Sequence, residues 1–504
     1  MNHEKNENKE KENKEKEIVN LCKRRGIVFE SGGYTRAGPG LYDFGDLGVL
    51  MKRNIANLWL DYFVFDRDDV YLFEGANLSG ENMWKGSGHH RLFDFLIICG
   101  NCKEYTNPDS LNIPNEDLLD MREPGELREY IISREYKCPS CKIPLKEMMI
   151  FPLMFRTVMG HGKGSTEVCL RPETCQSIFV NFKRLLHTEN PKLPFGVAHI
   201  GKAYRNEIAP RQFIIRCREF ELLELEYFVH PAENHEIPYD DFGEFEVVLW
   251  SDEMQRSEIS QEKMTITEAL KTGVIGNTWL AYWMTQSLKW LTECGIHPDS
   301  LRYRQHLRDE KPHYSKETWD LEYSAPSRWV EVAGISNRDS YDLKEHMKFA
   351  KNYLNATVDL KYFDRTIPKV VESSFGMERI LFTLLLEAYS KRDNRLVLRL
   401  HPRVAPVKVA VLPLLDKKDL AKKAKSAYDQ LKKTFHAKLD IQGNIGQRYA
   451  KFDEIGTSYC ITIDNQSLED NTVTIRDRAT WEQERVKMEN LARRLKKMGL
   501  PTRN

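Results

Sequence analysis

The residues best suited to chemistry lie between Phe195 and Pro231, where two predicted strands flank a charged loop. The residues of one parity in the second predicted strand are Arg216, Arg218, Phe220, Leu222, Glu224 and Glu226. Because alternate residues of a strand share a face, this face carries arginines for phosphate, an aromatic ring for a base and carboxylates for an ammonium group. Four residues of strand separate Phe220 from Glu224 by about 13 Å. The pattern predicts a nucleotide site beside an amino-acid site, and the alternative is a charged hairpin at a sheet edge.

This hairpin and several other segments resemble a known family. Arg205-x-Glu207, followed after a loop by Arg216-x3-Phe220-x3-Glu224, resembles motif 2 of the class II aminoacyl-tRNA synthetases. Four further segments are similar to those of the dimeric type of glycyl-tRNA synthetase: LRPETCQSIFVNF from Leu170, WVEVAGISNRDSYDL from Trp329, VESSFGMERI from Val371 and GNIGQRYAKFDEIG from Gly443. The resemblance extends from about Cys22 to Pro501, and long motifs in order are more specific than one short pattern.

The resemblance implies both a fold and an activity. The expected fold class is α+β: an antiparallel β-sheet catalytic domain of the class II type flanked by helices, a zinc-knuckle insertion and a C-terminal α/β anticodon-binding domain. The expected activity is that of a glycine–tRNA ligase, which activates glycine with ATP to glycyl-adenylate and pyrophosphate and then transfers glycine to the 3′ end of tRNA(Gly). The expected partners are ATP with Mg²⁺, glycine and tRNA(Gly), and the expected assembly is a homodimer.

This chemistry needs positioned charges rather than a general base. The glycine carboxylate that attacks the α-phosphate is already ionised at neutral pH, so the protein has to align the reactants and neutralise charge. The resemblance places Arg205 at the α-phosphate, Glu207 at the adenine amino edge, Phe220 on the adenine face and Arg216 near the terminal phosphates.

Motif 3 and a preceding strand complete the nucleotide site that the resemblance implies. Arg379 is expected near the adenine and the γ-phosphate, where it forms the catalytic pair with Arg205. Glu331 is the expected ligand of the Mg²⁺ bound with ATP. The whole predicted ATP-binding set is Arg205, Asn206, Glu207, Arg216, Phe220, Glu331, Val332, Gly376 and Arg379.

The glycine pocket that the resemblance implies consists of Glu173, Glu224, Glu372 and Ser374. Three carboxylates around one ammonium group make a negative pocket, and a pocket without room for a Cβ rejects larger amino acids by clash. This kind of exclusion requires no editing domain, and none is visible in the sequence.

Four positions depart from the residues usual in the family. Asp46 and Ser373 stand where proline is usual, Cys175 where alanine is usual, and Glu378 where glycine is usual. Ser373 can loosen the backbone that holds the neighbouring glutamate. Glu378 adds a charge beside the following arginine.

A paired cysteine motif, CGNC from Cys99 to Cys102 and CPSC from Cys138 to Cys141, predicts a structural zinc site. Four thiolates suit tetrahedral Zn²⁺ and leave no open position for catalysis. The alternative is four free cysteines, which this spacing disfavours. The remaining cysteines have no partner pattern and are expected to pack in the core: Cys22, Cys169, Cys175, Cys217, Cys294 and Cys460.

The overall composition limits the classes of protein to which this chain can belong. The 504 residues, 41% of them apolar, provide for two or three cores, and 75 basic residues balance 75 acidic ones. Any nucleic-acid binding must therefore use local patches. With no apolar run of about 18 residues and no hydrophobic signal core, the sequence predicts a cytoplasmic protein without membrane contact.

The chain is expected to divide into three parts. Residues 1–17 are almost entirely Asn, Lys and Glu and predict a disordered charged tail or a frayed helix. Residues 18–405 form the expected catalytic domain, with a zinc-knuckle insertion at 99–141 and a mostly helical insertion at 231–311. Residues 406–504 form the expected anticodon-binding domain.

Two helices are predicted from apolar spacing. The first has its apolar residues at Leu47, Leu50, Met51, Ile55, Leu58 and Tyr62, and in the resembling family it is motif 1 of the dimer interface, although an ordinary core helix gives the same pattern. The second has its stripe at Leu420, Ala424, Ala427, Leu431 and Phe435. Its lysines are Lys417, Lys418, Lys422, Lys423, Lys425, Lys432 and Lys433. They form a solvated face or, given the resemblance, contact the RNA backbone.

Two other functions compete with a glycine–tRNA ligase. Another class II synthetase would share motif 2 and the C-terminal domain, but not the combination of RPETCQ, EVAGISNR and ESSFG. A catalytically inactive, synthetase-like RNA-binding protein would be expected to lose Arg205, Glu207, Arg379 or the glycine carboxylates, and all of these are present.

Overall fold

The computed structural model describes residues 2–503 except for 36, 89–95, 107–110, 112, 114–123, 152, 209, 211, 233–236, 238–241, 309 and 313, and at 2–12 and 124 it describes the backbone alone. The strands are β1 (Val28–Glu30), β2 (Tyr42–Phe44), β3 (Val70–Leu72), β4 (Leu78–Gly80), β5 (Leu96–Cys99), β6 (Tyr105–Thr106), β7 (Met148–Phe151), β8 (Arg156–Met159), β9 (Thr166–Leu170), β10 (Phe195–Tyr204), β11 (Glu219–Val229), β12 (Glu246–Trp250), β13 (Glu262–Thr265), β14 (Leu301–Gln305), β15 (Glu317–Ser324), β16 (Trp329–Asp339), β17 (Lys369–Gly376), β18 (Tyr389–Arg392), β19 (Arg395–Leu398), β20 (Val409–Pro413), β21 (Ala437–Leu439), β22 (Tyr459–Ile463), β23 (Thr472–Asp477) and β24 (Gln483–Lys487).

The α-helices of the described residues follow in chain order. They are α1 (Asn2–Arg25), α2 (Asp46–Leu60), α3 (Glu81–Ser87), α4 (Pro124–Ser133), α5 (Gln176–Val180), α6 (Phe182–Glu189), α7 (Asp252–Arg256), α8 (Ile266–Lys271), α9 (Thr278–Glu293), α10 (Tyr341–Tyr353), α11 (Met377–Ala388), α12 (Lys418–Leu431), α13 (Ile445–Glu454), α14 (Asn465–Asp470) and α15 (Leu491–Lys497). None of the helices described is long and apolar enough to cross a membrane.

A nine-stranded sheet forms the centre of the molecule, in the order β13-β12-β14-β15-β16-β17-β11-β10-β3. The run from β14 to β10 is antiparallel throughout, whereas β3 and β12 each pair in parallel with a neighbour. Sheet and helices together confirm the α+β fold class predicted from the sequence.

The two faces of this sheet differ because side chains alternate along each strand. On β11, Leu223, Leu225 and Tyr227 belong to the main hydrophobic core. The rings of Tyr227 and Trp283 of α9 lie 4.9 Å apart, so α9 covers this apolar face. The other parity of β11 carries Phe220, Leu222, Glu224 and Glu226.

The segment 231–311 is not the mostly helical insertion that its sequence predicts. Within its described residues it contributes β12, β13 and β14 to one end of the central sheet. The longest helix of the segment is α9, in which Trp279, Trp283 and Leu291 recur at helical spacing and are buried. The short strands escape prediction because each is stabilised by pairing rather than by its own propensity: β12 pairs with β13 and β14, and β14 also pairs with β15.

The N-terminal residues also differ from the expected disordered tail, since residues 2–17 form the first part of α1. Lys and Glu favour helix, and the rest of the helix is anchored through Ile18 and Leu21, which are buried in the main core. Glu17 accepts hydrogen bonds from Tyr389 and Lys391, the latter at 2.7 Å. The frayed-helix alternative is therefore closer to the structure.

The predicted motif 1 helix is α2, which begins at Asp46 and buries Met51, Ile55 and Leu58. An aspartate in the first turn of a helix interacts favourably with its dipole, so it can replace proline there. The Asp46 carboxylate also lies 2.7 Å from Nζ of Lys438 on β21.

A small module surrounds the paired cysteines. Strands β6, β5 and β7 form a three-stranded sheet, and α4 packs its buried Leu127 and Ile131 against it. The module extends from Leu96 to Phe151, beyond the predicted limits of 99–141, because strands outside the cysteine motifs complete its core.

The C-terminal part is a separate α/β layer built on the sheet order β21-β20-β22-β23-β24. Helix α12 covers this sheet with the predicted stripe, which is fully buried at Leu420, Ala424, Ala427, Leu431 and, just beyond the helix, Phe435. The sequence pattern of this domain is thus confirmed, and its lysines remain on the outer side.

Candidate functional site

A cleft of about 320 Å³ lies on the polar face of the central sheet. Most of the residues predicted for the site line it: Glu173, Arg205, Glu207, Arg216, Phe220, Glu224, Glu331, Glu372, Ser374, Gly376 and Arg379. Two predicted ATP-binding residues do not. Val332 points to the opposite face and is buried in the main core, and the main chain of Asn206 instead donates a 2.8 Å hydrogen bond to the Leu153 carbonyl.

One end of the cleft has a flat aromatic platform beside a guanidinium. The side chain of Arg205 lies with its guanidinium carbon 5.3 Å from the centre of the Phe220 ring, and its Nε donates to the Pro172 carbonyl at 3.0 Å. Phe220 is paired with Ala203 across β10 and β11. The backbone that carries the ring is therefore held by the hydrogen bonds between two strands of the central sheet. This end can stack a planar ring and contact an anion at its edge.

The loop between β10 and β11 holds a second guanidinium. Arg216 Nε lies 3.0 Å from Glu207 Oε2, and about half of the arginine side chain is exposed. Arg216 and Arg218 lie before β11 rather than within it, contrary to the predicted strand. The reason is a short 3-10 turn at Phe213–Ile215, in which Ile214 is buried in the main core.

Arg379 lies in the first turn of α11 and is held by three acceptors. Its Nη1 is 2.8 Å from Glu331 Oε2, and its guanidinium also donates to the carbonyls of Ile215 and Glu331. The positive charge of Arg379, reinforced by Arg205, lowers the pKa of Glu331 from its ordinary value. The pair is therefore fully ionised at neutral pH.

An acidic and an imidazole group at this end of the cleft were not predicted from the sequence. His306 and Asp320 line it and share a hydrogen bond, with His306 Nε2 at 2.9 Å from both carboxylate oxygens. Burial, together with the nearby Glu331, raises the pKa of Asp320 to about 6. Asp320 and Glu331 thus form a pair of acids whose charges repel each other.

At the other end, strand register collects carboxyl groups on neighbouring strands. Glu224 of β11 is paired with Ser374 of β17, and Glu226 with Glu372. Both oxygens of Glu224 are engaged: Oε1 accepts from Ser374 Oγ at 2.9 Å, and Oε2 accepts from the main chain and hydroxyl of Thr174. These bonds fix the direction of the carboxylate.

Glu173 approaches this group from the segment before α5. Its Oε1 accepts from the Cys175 thiol at 3.0 Å and from Gln176 Nε2 at 3.1 Å. The thiol is fully buried. The cysteine at this position, where alanine is usual, thus donates a hydrogen bond to a residue of the predicted glycine pocket.

A fully buried arginine, Arg338, lies beneath the carboxyl groups and was not singled out from the sequence. Its guanidinium donates to both oxygens of Asp342 at 2.8 Å and to both oxygens of Glu372 at 3.1 Å. It also lies 3.8 Å from the centre of the Tyr314 ring. The spacing of four between Arg338 and Asp342 was the available signal, but nothing in the sequence identified the third member, Glu372.

Carboxyl groups outnumber guanidinium groups in this cluster. The excess of negative charge helps to raise the pKa values of the carboxyl groups. Burial, opposed by Arg338 but assisted by Glu224 and Glu173, raises the pKa of Glu372 to about 7. Burial and Glu372 raise the pKa of Glu226 well above its ordinary range, and neither of its buried oxygens has a hydrogen-bond partner among the described residues. The pocket therefore holds protons that a bound cation can replace.

Ser373 faces away from the cleft. Strand register pairs it with Leu225 on one side and Ile335 on the other, both of which are core residues. Strand β17 runs unbroken from Lys369 to Gly376. The backbone beside Glu372 therefore stays paired with the strands on both sides, β11 and β16, despite the serine.

The four predicted zinc ligands come together in the small module. The sulfur atoms of Cys99 and Cys141 lie 3.9 Å apart, and those of Cys102 and Cys138 lie 3.7 Å apart. A tetrahedron with Zn–S bonds of about 2.3 Å has edges of about 3.8 Å. The cluster therefore has the donor atoms and spacing that a four-thiolate metal site requires.

The lysine-rich face of α12 is separate from the cleft and lies in the C-terminal layer. Lys418 and Lys422 are exposed, whereas Lys425 and Lys432 each lie within 3 Å of the Asp429 carboxylate. The first part of the helix thus presents the less neutralised positive charge.

Comparison with known proteins finds a matching family for the catalytic part of the chain and another for its C-terminal part. Residues 161–389 match the tRNA synthetase class II core domain (G, H, P, S and T), and residues 408–498 match the anticodon binding domain. The chain is 38% identical to the glycine–tRNA ligase of Caldanaerobacter subterraneus subsp. tengcongensis over 94% of this chain and 96% of that protein. It is 35% identical to the glycine–tRNA ligase of Methanocaldococcus jannaschii over 95% and 98%.

A solved structure shares the fold at low sequence identity. The crystal structure of prolyl-tRNA synthetase from Cryptosporidium parvum has a TM-score of 0.58 and 13% identity, and the match covers 95% of this chain and 74% of that one. This match concerns the fold alone.

Removing one cysteine of the cluster tests the metal site. We expect protein purified without chelators under reducing conditions to contain one zinc per chain, and Cys138→Ser to lose most of it together with thermal stability, because the metal folds the module. Elemental analysis and thermal unfolding measure both. Cys460→Ala, a buried cysteine outside the cluster, is the control that retains the metal. Wild-type protein without zinc would contradict the assignment.

Proposed function

The chain belongs to the glycine–tRNA ligase family, and from this premise we propose that it joins glycine to tRNA(Gly) in two steps. Glycine is activated by ATP to glycyl-adenylate with release of pyrophosphate, and the glycyl group is then transferred to the 3′ end of the tRNA. The observation that carries the proposal is the joint lining of one cleft by Arg205, Phe220 and Arg379 at one end and by Glu173, Glu224 and Glu372 at the other.

The nucleotide occupies the end with the aromatic platform. Its adenine stacks on Phe220, and its amino edge is bound by Glu207, while Arg205 neutralises the α-phosphate. Arg216 leaves Glu207 for the terminal phosphates, which its exposed position permits. Because guanidinium groups fork onto phosphate oxygens, arginine suits these positions better than lysine.

Glycine occupies the acidic end. Its ammonium group is bound by Glu173, Glu224 and Glu372, and Ser374 supports Glu224 through the hydrogen bond between them. The carboxylate of glycine then faces the α-phosphate for in-line attack, as positioning without a general base requires. Side chains larger than hydrogen are excluded by the packed walls of this end of the cleft.

Arg379 stabilises charge during activation. In the free protein it is paired with Glu331, and phosphate oxygens of ATP replace part of that pairing. Mg²⁺ would be held by Glu331 with Asp320, since oxygen ligands suit this cation, and it supplies neutralisation of phosphate charge. Zn²⁺ would be held by Cys99, Cys102, Cys138 and Cys141, where it stabilises the fold of the module.

The C-terminal domain, taken as residues 406–504, binds the tRNA, and residues 18–405 form the catalytic domain. The lysines of α12 supply contacts to the RNA backbone. The protein acts in the cytoplasm as a homodimer, with α2 at the interface as motif 1. These assignments rest on the family and on the separation of the two cores.

The competing functions have less support. Another class II synthetase is disfavoured by the relatives, which carry the name glycine–tRNA ligase. An inactive RNA-binding protein is disfavoured because the charged groups of the cleft are all retained and mutually oriented. Glycine-dependent exchange between ATP and pyrophosphate decides between these functions directly.

The first prediction concerns Arg379. Wild-type protein should catalyse glycine-dependent ATP–pyrophosphate exchange with Mg²⁺, and Arg379→Ala should lower kcat by about 10²–10³-fold because a charge that stabilises the transition state is removed. Exchange of radiolabelled pyrophosphate measures both. Arg395→Ala, an exposed arginine outside the cleft, should leave the rate unchanged. Near-normal exchange by the Arg379 variant would refute this role.

The second prediction is a pH dependence of glycine binding. Because the pKa of Glu372 is about 7, this group is protonated below pH 7 and attracts an ammonium group only when ionised. The Kd for glycine should therefore fall by roughly tenfold from pH 6 to pH 8, with release of a proton on binding. Calorimetry in buffers of different ionisation enthalpy counts the protons. Glu372→Gln should bind more weakly and lose the dependence; an unchanged pH profile in this variant would refute it.

The third prediction separates tRNA binding from activation. Lys418→Glu with Lys422→Glu should raise the KM for tRNA at least tenfold and leave pyrophosphate exchange within about twofold, because the reversed charges repel the RNA backbone far from the cleft. Charging assays at two salt concentrations measure this effect. The same double reversal at Lys496 and Lys497 on α15 is the matched control. Unchanged charging by the first variant would mean that α12 presents a solvated face.

A further inference from the structure

Helix α2 places a lysine behind Glu378, a residue that lines the cleft. Lys52 Nζ lies 2.8 Å from Glu378 Oε1 on α11 and 2.8 Å from Glu221 Oε2 on β11. The exposed fractions of these side chains are 11% for Lys52, 4% for Glu378 and 25% for Glu221. An ion group this sheltered from water loses much of its stability when one member is removed.

The group is closed by a main-chain contact. Glu378 Oε2 accepts a 2.9 Å hydrogen bond from the backbone N–H of Glu221. Burial disfavours the ammonium form of Lys52, but the attraction of Glu378 and Glu221 outweighs this effect and raises its pKa. Lys52, Glu221 and Glu378 are hereafter called the rear ion group. Glu378, whose charge the sequence placed beside Arg379, is therefore compensated.

The two glutamates of the rear ion group each adjoin a residue of the nucleotide end. Glu221 lies between Phe220 and Leu222, whose side chains line the cleft on the opposite face of β11. Glu378 precedes Arg379 in the first turn of α11. A rear ion group that links these two positions fixes the distance between the aromatic platform and the Arg379 guanidinium.

We propose that Lys52 is a positioning residue for the activation step: through Glu378 and Glu221 it aligns Arg379 with Phe220 without touching the nucleotide. The proposal rests on the proposed function. A misplacement of about 1 Å between catalytic groups can lower a rate about a hundredfold, so a partner behind the site can control kcat. The glycine pocket is built from other side chains, so the affinity of the protein for glycine is expected to change little when Lys52 is replaced.

The test compares variants in glycine-dependent pyrophosphate exchange. Lys52→Met, which keeps the length of the side chain, should lower kcat at least tenfold while the KM for glycine stays within about twofold. Lys52→Arg should restore part of the rate because it returns the charge. Lys85→Met is the matched control: Lys85 is 13% exposed and paired with Glu81 on α3, away from the cleft, and its loss should leave kcat unchanged.

A double-mutant cycle shows whether Lys52 acts through Glu378. Glu378→Gln should reproduce the defect, and the double variant Lys52→Met/Glu378→Gln should be no slower than the slower single variant, because both remove one linkage. Active-site titration of adenylate corrects each rate for folded protein. Normal kcat in Lys52→Met, additive losses, or a loss that disappears on this correction would overturn the proposal. Absent exchange in the wild type would instead refute the proposed function.

Discussion

The alternation of side chains in the central antiparallel sheet accounts for the position of the site. Burying Leu223, Leu225 and Tyr227 in the main core forces the other parity of β11 to the opposite face. Register then places Glu224 beside Ser374. A shift of one residue would turn the carboxylates into the core and the apolar groups into the cleft, so the packing of the core and the chemistry of the cleft are specified together.

The acidic end of the cleft carries an electrostatic cost that a bound cation can relieve. Removing charged groups from water costs several kcal/mol for each ion, and Arg338 compensates Asp342 and part of Glu372. The remaining carboxyl groups hold protons instead, as the high pKa of Glu226 indicates. A ligand with a compact ammonium group and no side chain fits such a pocket, because its charge replaces the protons and its size leaves the walls in place.

Helices α1 and α2 contact the C-terminal layer. On α2, the Asn54 side chain donates to the carbonyls of Val404 and Ala405 at 3.1 and 3.0 Å, just before the C-terminal sheet begins. The same helix carries Lys52 behind the cleft. On α1, Arg24 lies 2.7 Å from the Glu454 carboxylate of α13. The layer is thus attached to α1 and α2 through polar contacts and through Leu47 of α2, which packs against a small apolar cluster of the layer.

The sequence by itself determined the parts that local patterns encode. Alternation identified the cleft face of β11 from Phe220 onward, paired knuckles identified the cysteine cluster, and helical spacing identified the stripe of α12, since each pattern reflects the geometry of one element. Only the tertiary structure decided which distant groups meet. Arg338 with Glu372, and Lys52 with Glu378, are separated by 34 and 326 residues. Sheet register and helix packing bring such pairs together, and the short strands of 231–311 likewise depend on pairing, since β12 lies between β13 and β14.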